Sequence, residues 1–199
     1  MNCFSTSGYL DIPLLISRFK NKPDLIFLSL NVRSLPNKFE SIRELISELE
    51  KNNVNIILIA LQEIWNFPHP DLLKINNFDF FYKMRNNSYG GGVGYYIRKT
   101  VNPKNNQELS IFNEKVFECL AINFTLNNQK FTVSNFYRPP NNDAESVNTF
   151  FENFEDLRTL MQRNDNLYFI FCDANINFLK INHCSTAYCM YKNCLVSGV

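Results

Sequence analysis

Two continuous hydrophobic runs stand near the start of the chain, and each stops at polar residues. The first covers residues 25–31, and the second covers residues 55–61, directly before Gln62 and Glu63. Continuous apolar runs of this kind are typical of strands buried on both faces. Between the runs, hydrophobic residues recur at the spacing of one helix face, at Ile42, Leu45, Ile46 and Leu49. This order of strand, helix and strand predicts an α/β fold.

Both predicted helices have recognisable ends. Asn37 is a candidate N-cap for the first helix, with Glu40 three residues later as in a capping box. The two asparagines at 52–53 predict its C-terminal end. The second helix is predicted over residues 144–163, with its N-cap at position 142 or 143.

The remainder of the chain predicts short strands. They cover residues 78–82, 93–97, 116–124 and 130–136. Asn127 and Asn128 fall between the last two of these strands and are typical of a hairpin turn. A final buried strand is predicted over residues 167–172, directly before Asp173.

Composition supports a folded core but does not indicate a partner. Hydrophobic residues make up 45% of the 199 residues, which argues against disorder. The formal net charge is only +1, so total charge neither indicates nor excludes a nucleic-acid binder. The sequence has 30 asparagines, and asparagine-rich stretches therefore carry little functional weight.

The chain has no pattern that predicts a membrane or secretory location. No apolar run approaches the ~18 residues that a membrane-spanning helix needs. The apolar patch at 12–16 is too short for a signal sequence, and Asp11 precedes it instead of a basic region. We therefore expect a nuclear or cytoplasmic protein with reduced cysteines and no membrane partner. Residues 1–24 show no clear period and are predicted to be an N-terminal extension to a domain over 25–199.

Polar side chains with chemical potential follow four of the predicted strands. They are Asn31, Gln62–Glu63, Tyr137–Arg138 and Asp173–Asn175. Each of these residues taken alone is as well explained by a turn or a helix cap. Strand ends converge on one edge of an α/β sheet, however, and carboxylates there suit a hard cation such as Mg²⁺. Arg138 offers a bidentate fork for phosphate. Together the residues predict metal-assisted phosphoester chemistry.

The sequence resembles the endonuclease/exonuclease/phosphatase superfamily, and within it most closely the endonuclease domain of non-LTR retrotransposons. The matching segments are LSLNVRSL at 28–35, IILIALQEIW at 56–65, GGGVGYYI at 90–97, FYRPP at 136–140 and FCDANIN at 171–177. The resemblance implies a DNase I-like two-sheet sandwich flanked by helices. It also implies Mg²⁺- or Mn²⁺-dependent nicking of DNA, by a domain fused to or encoded with a reverse transcriptase.

The resemblance assigns a role to five residues. Asn31 and Glu63 match the residues that hold the metal, and Tyr137 matches the tyrosine that contacts the scissile phosphate. Asp173 matches the aspartate that orients or deprotonates the attacking water, and Asn175 matches the asparagine that stabilises charge on the phosphate.

The sequence departs from the family pattern in two places. Cys172 and Ala174 stand where the family has glycine and phenylalanine around the aspartate. The family's last strand carries Ser-Asp-His, whereas this sequence ends at Val199, and His183 follows Asp173 too closely to replace that histidine. We therefore expect the domain to lack its C-terminal strand and to have low activity. An inactive remnant and a phosphoesterase for a lipid or a small molecule remain open alternatives.

Three further features have a simpler structural explanation. The glycines at 90–92 lack the Lys-Ser/Thr of a P-loop, which favours a turn that enters a strand. Trp65 could stack on a base, but a packed aromatic beside Glu63 is favoured. A C-terminal group fits no zinc-finger spacing; it consists of His183, Cys184, Cys189 and Cys194.

Overall fold

The computed structural model describes residues 11–141, 143–163 and 165–176. The helices in these ranges are α1 (Ile12–Phe19), α2 (Leu35–Lys51) and α3 (Ala144–Met161). The strands are β1 (Ile26–Asn31), β2 (Ile56–Gln62), β3 (Phe78–Lys83), β4 (Val93–Arg98), β5 (Lys104–Asn105), β6 (Phe112–Asn113), β7 (Phe117–Leu126), β8 (Gln129–Tyr137) and β9 (Leu167–Asp173). The expected C-terminal truncation and the cysteine-rich group fall outside the described residues.

The strands form two mixed sheets. The first sheet has the order β1-β2-β4-β3, and β1 and β2 are parallel. The second has the order β5-β7-β8-β9, with β6 paired to β7, and β8 and β9 are parallel. Each sheet therefore contains one parallel pair, and the strands of a parallel pair end at the same edge.

The sheets pack face to face with helices outside them. The core between the sheets joins apolar residues of β2 and β4 to those of β7 and β8. Helices α1 and α2 cover the outer face of the first sheet, and α3 covers the outer face of the second. This arrangement confirms the two-sheet α/β sandwich flanked by helices that the resemblance implied. No helix among the described residues is long and apolar enough to cross a membrane.

Helix α2 begins earlier than the sequence predicted. Its N-cap is Ser34, so the assignment of Asn37 as the cap is wrong. Pro36 in the first turn needs no hydrogen-bond partner there, which makes the earlier start favourable. The N–H groups of Ser34 and Leu35 donate to the carbonyls of Glu63 and Ile64, at 2.8 and 2.9 Å. The loop after β2 thus replaces the side-chain cap that the capping box would have supplied.

Part of the N-terminal extension is helical, where the sequence analysis predicted no element. Asp11 caps α1 by accepting a hydrogen bond from the Leu14 N–H at 2.8 Å. Leu15 is buried in the core beneath α2. Helix α1 is only eight residues long, too short for its period to stand out against the surrounding prolines.

The other predicted elements agree with the structure to within about two residues at each end, the usual uncertainty of such boundaries. Asn127 and Asn128 both have positive φ, at 51° and 63°, as a tight hairpin turn requires. Asp143 caps α3, which confirms one of the two predicted positions.

Buried amides connect the two sheets. Asn135 of β8, which is fully buried, donates to the carbonyls of Leu61 and Gly94 in the first sheet, at 2.9 and 3.1 Å. Its own amide oxygen accepts a hydrogen bond from Gln62 at 2.6 Å. Buried amides are costly unless they are paired, so these bonds fix how β2 and β8 lie against each other.

Replacing Asn135 by leucine should lower the free energy of unfolding by about 2–4 kcal/mol, because the hydrogen bonds are lost and buried groups are left without partners. Denaturant titration would measure the change. Asn148→Leu, at an exposed position of α3, is the control and should have little effect. A loss below about 0.5 kcal/mol for Asn135→Leu, the range typical of surface substitutions, would contradict the proposed link.

Candidate active site

The C-terminal ends of both parallel strand pairs lie at one edge of the sandwich. In the first sheet Asn31 is paired with Gln62, and in the second Tyr137 is paired with Asp173. The bond between the Gln62 and Asn135 side chains holds the two pairs together just inside this edge. The structure thus brings the strand-end residues of all four strands to one place.

The side chain of Asn31 lies between two carboxylates. Its amide nitrogen donates to Glu63 Oε1 at 2.7 Å and to Asp173 Oδ2 at 2.6 Å. Its amide oxygen accepts the Arg33 N–H at 3.2 Å. One neutral amide therefore holds together two acids that come from different sheets, and their charges face each other across it.

Glu63 is held in an unusual backbone conformation. Its φ is +54°, a left-handed value that is uncommon for a residue other than glycine. The carbonyl of Glu63 accepts from Ser34, and on the other side Trp65 N–H donates to the Gly91 carbonyl at 2.8 Å. The Glu63 Oε2 atom also accepts from Trp65 Nε1 at 3.4 Å. Contacts on both sides thus impose the turn that points Glu63 towards Asn31.

Tyr137 is buried beside this cluster, with 6% of its surface exposed. Burial, followed by the nearby carboxylate of Glu63, raises the pKa of the Tyr137 hydroxyl to about 12. The hydroxyl therefore stays protonated at neutral pH and is available as a hydrogen-bond donor.

The loop after β9 positions Asp173 and Asn175. Asp173 Oδ1 accepts the Asn175 N–H at 3.3 Å, and Asn175 has a φ of +48°. The Asn175 side chain donates to the Arg138 carbonyl at 2.7 Å. This leaves one of the two amide hydrogens of the exposed Asn175 side chain available for a further acceptor.

The structure does not bring the guanidinium of Arg138 to the carboxylates. Arg138 is 2% exposed, and its guanidinium donates to the carbonyls of Ala174 and Asn141 beside the ring of Phe150. A guanidinium in this place supports the loop that carries Asp173, and it does not favour the phosphate contact predicted from sequence. Ala174, which replaces the family's phenylalanine, is itself buried against α3.

The donor set suits a hard divalent cation. Glu63 and Asp173 supply two carboxylates, and Asn31 supplies an amide between them. Mg²⁺ is usually bound by one or two carboxylates and keeps several waters, which this open edge permits. No set of three or more acidic, histidine or cysteine side chains among the described residues could enclose a metal ion, so a closed zinc-type site is not formed there.

Comparison with known proteins identifies the family. The sequence matches the model of the Endonuclease/Exonuclease/phosphatase family over residues 28–178, about three quarters of the chain. The chain belongs to this family. A sequence search of curated proteins finds no match.

Solved structures of this family share the fold. The endonuclease domain of TRAS1, a telomere-specific non-LTR retrotransposon, superposes with a TM-score of 0.60 at 12% identity, covering 86% of this chain and 70% of that one. An AP endonuclease from Archaeoglobus fulgidus gives 0.56 at 16% identity, with coverages of 85% and 70%. Danio rerio TDP2 in complex with a single-stranded DNA product gives 0.53 at 18% identity; the chain spans 62% of its length, and 78% of this chain is covered.

Membership of the family supports phosphodiester hydrolysis as the chemistry of this edge, and nucleases of the family depend on divalent metal ions. The low identities to the solved structures show the fold alone. The roles of Asn31, Glu63, Tyr137, Asp173 and Asn175 therefore depend on where this chain places them.

Several residues that surround the site were not predicted from the sequence. Arg85 and Glu118 form a buried ion pair, with 2.5 Å between Nε and Oε1. Glu118 is the single charge in the apolar strand β7, and this was the signal that could have revealed it. Tyr89 is 72% exposed, and its ring lies 5.4 Å from that of the half-buried Trp65. Trp65 is therefore partly exposed and in contact with a second aromatic ring. No pattern in the sequence indicated that Tyr89 lies beside the site.

The raised pKa of Tyr137 predicts a pH dependence of stability. In the unfolded chain the hydroxyl ionises near its ordinary pKa of about 10, whereas in the folded chain it resists ionisation up to about pH 12. Its contribution to stability is present below about pH 10 and is lost as the pH rises towards 12.

Tyr137→Phe should therefore lose less stability than the wild type between about pH 10 and pH 12. Denaturant midpoints at several pH values would show the difference. Parallel profiles for the two proteins would contradict the assignment, since the other tyrosines are common to both.

Proposed function

We propose that this chain is a divalent-metal-dependent DNA endonuclease of the non-LTR retrotransposon type. The observation that carries the proposal is the amide of Asn31 between the carboxylates of Glu63 and Asp173, at the open edge where Tyr137 also lies. The TRAS1 endonuclease domain among the structural neighbours, together with the segments at 28–35 and 136–140, supports the retrotransposon branch. A reverse transcriptase encoded with the domain is part of the proposal.

Glu63 and Asn31 are proposed to hold Mg²⁺ or Mn²⁺ at the carboxylate edge. The bound ion would act as a Lewis acid on a phosphate oxygen and neutralise developing charge. Bringing a phosphodiester to this edge without a cation would place its charge against two carboxylates, which is unfavourable. The charge of the site therefore argues for a cation as well as for a phosphate.

Of the remaining residues, one is proposed to accept a proton and two are proposed to donate hydrogen bonds. Asp173 accepts a proton from water as the water oxygen attacks phosphorus; the bond from phosphorus to the 3′ oxygen breaks, and the departing 3′ oxygen takes up a proton from solvent. The protonated hydroxyl of Tyr137 and the spare amide hydrogen of Asn175 donate to the phosphate oxygens. The product would be a nick with a free 3′ hydroxyl, which is the end that a reverse transcriptase extends.

The neighbouring aromatic pair supports a nucleic acid as substrate. The indole N–H of Trp65 donates a hydrogen bond to Glu63, and the exposed ring of Tyr89 lies against Trp65. An aromatic surface therefore borders the proposed metal site. Aromatic side chains bind unpaired bases by stacking, which is worth about 1–3 kcal/mol per base.

Nicking of supercoiled plasmid in Mg²⁺ tests the proposal. The full chain should convert supercoiled to open circular DNA, and Glu63→Gln or Asp173→Asn should reduce the rate by about 10²–10⁴-fold. Glu44→Gln, an exposed acid of α2, is the matched control and should retain the wild-type rate.

Each other outcome of this experiment has a defined meaning. Nicking that survives Glu63→Gln would refute the site and point to a contaminating nuclease. A folded chain that hydrolyses a phosphomonoester but leaves DNA intact would instead be a phosphatase of the same family. A folded chain inactive on both substrates would be a remnant of a nuclease.

Tyr89→Ala should weaken nicking about 5- to 100-fold, the effect of losing one stacked base. Hydrolysis of dimethyl phosphate, which has no ring to stack, should change less than twofold. The control is Leu72→Ala, at a residue that is 74% exposed. Tyr168→Ala is unsuitable as a control because Tyr168 packs near α3. Equal losses on both substrates would contradict a stacking role for Tyr89.

A further inference from the structure

A buried ion pair lies directly behind the proposed metal site. Glu118 is fully buried, Arg85 is 9% exposed, and their closest atoms are 2.5 Å apart. The pair joins the segment after β3 in the first sheet to β7 in the second. Buried ion pairs are often no more stabilising than a well-packed apolar pair, so stability alone does not account for this one.

The ion pair shapes the glycine loop at 90–92. Glu118 Oε2 accepts the Gly92 N–H at 2.6 Å, and Arg85 Nη1 donates to the Tyr89 carbonyl at 3.3 Å. The guanidinium lies against Gly91 so closely that a Cβ atom there would be 2.4 Å from Arg85 Cζ. The three glycines have φ values of +86°, +63° and +79°, which only glycine adopts readily. The loop therefore takes its form from Arg85 and Glu118.

The glycine loop in turn holds the segment that contains Glu63. The carbonyls of Gly91 and Gly92 accept the N–H groups of Trp65 and Ile64, at 2.8 and 3.3 Å. These two bonds lie immediately after Glu63, whose φ is itself left-handed. A continuous path of hydrogen bonds thus runs from Glu118 through the loop to the backbone next to the Glu63 carboxylate.

The same ion pair lies beside Tyr137. Glu118 of β7 is the register partner of Tyr137 in β8. Burial raises the pKa of Tyr137 first of all, and of the two paired charges Arg85 lowers it whereas Glu118 raises it. In the intact pair, the effects of the two charges on the pKa of Tyr137 therefore oppose each other. Without Arg85, Glu118 would add a third negative charge near the edge, beside those of Glu63 and Asp173.

We infer that Arg85 and Glu118 are positioning residues that set the Glu63 carboxylate for the metal ion through the glycine loop at 90–92. The inference rests on the proposed function, since it assumes that Glu63 binds a divalent cation. Residues that orient a metal ligand are usually worth about 10- to 100-fold in metal affinity or activity. An ion pair with a purely structural role would change stability and leave metal affinity intact.

The test measures Mn²⁺ binding to the full chain by titration calorimetry, without substrate. In the double variant Arg85→Met with Glu118→Leu, no buried charge is left alone, and such replacements often keep the fold. We expect the variant to remain folded by circular dichroism and to bind Mn²⁺ at least tenfold more weakly. The control is Arg98→Met with Glu50→Leu, which removes an ion pair of 2.6 Å at the far end of β4 and should bind as the wild type does.

A conservative single variant covers the case in which the double variant unfolds. Arg85→Lys keeps a positive charge for Glu118 but loses the guanidinium bond to the Tyr89 carbonyl, so the fold should persist and Mn²⁺ affinity should fall by less than in the double variant, yet measurably. Wild-type affinity in Arg85→Lys would overturn the inference if the double variant does not fold. Wild-type affinity in a folded double variant would overturn it directly.

Glu63→Gln separates failure of the inference from failure of the proposed function. If wild-type protein binds Mn²⁺ and Glu63→Gln does not, the metal site stands, and the ion-pair variants then decide the inference alone. If wild-type protein binds no Mn²⁺, or Glu63→Gln binds it equally, the proposed site is wrong and the inference falls with it.

Discussion

The hydrogen bonds of Asn135 are the constraint on which the site depends. Apolar packing between two sheets is not directional, and it would tolerate small shifts of one sheet over the other. The buried amide of Asn135 removes that freedom because it must meet Gln62 and two backbone carbonyls at once. Gln62 directly precedes Glu63, and Asn135 lies two residues before Tyr137. The polar link that aligns the sheets therefore also determines which residues meet at their edge.

The edge itself concentrates negative charge, because Glu63 and Asp173 meet there and neither forms an ion pair with another residue that the structure describes. Asn31 satisfies one oxygen of each carboxylate but contributes no positive charge. Of the buried cations that the structure describes, Arg85 is paired with Glu118. Arg138 turns its guanidinium towards the backbone of Ala174 and Asn141. Both of these buried arginines thus bind the backbone of loops beside the site, Arg85 at Tyr89 and Arg138 at Ala174.

The residues that end strands could be predicted from the sequence, because apolar runs and the polar residues after them are local patterns. Asn31, Glu63, Tyr137 and Asp173 were all placed in this way, and the hairpin at Asn127 was recognised from its turn residues. Contacts between segments that are far apart in the sequence could not be predicted in this way. The cap of α2 is formed by the backbone after β2, which no capping pattern encodes, and the pairing of Arg85 with Glu118 spans 33 positions.

Arg138 shows why residue type alone is a poor guide to role. An arginine after a strand that ends at the candidate site has the right chemistry to bind phosphate, and it has equally the right chemistry to bind several carbonyl groups. Its position between β8 and α3 decides the matter, since a buried guanidinium must have its donors satisfied. Arg138 holds the loop that carries Asp173 and Asn175 in two ways: its guanidinium donates to the Ala174 carbonyl, and its backbone carbonyl accepts the side-chain amide of Asn175. The absence of the family's phenylalanine at Ala174 therefore does not leave that loop unsupported, because polar contacts to its backbone hold it in place.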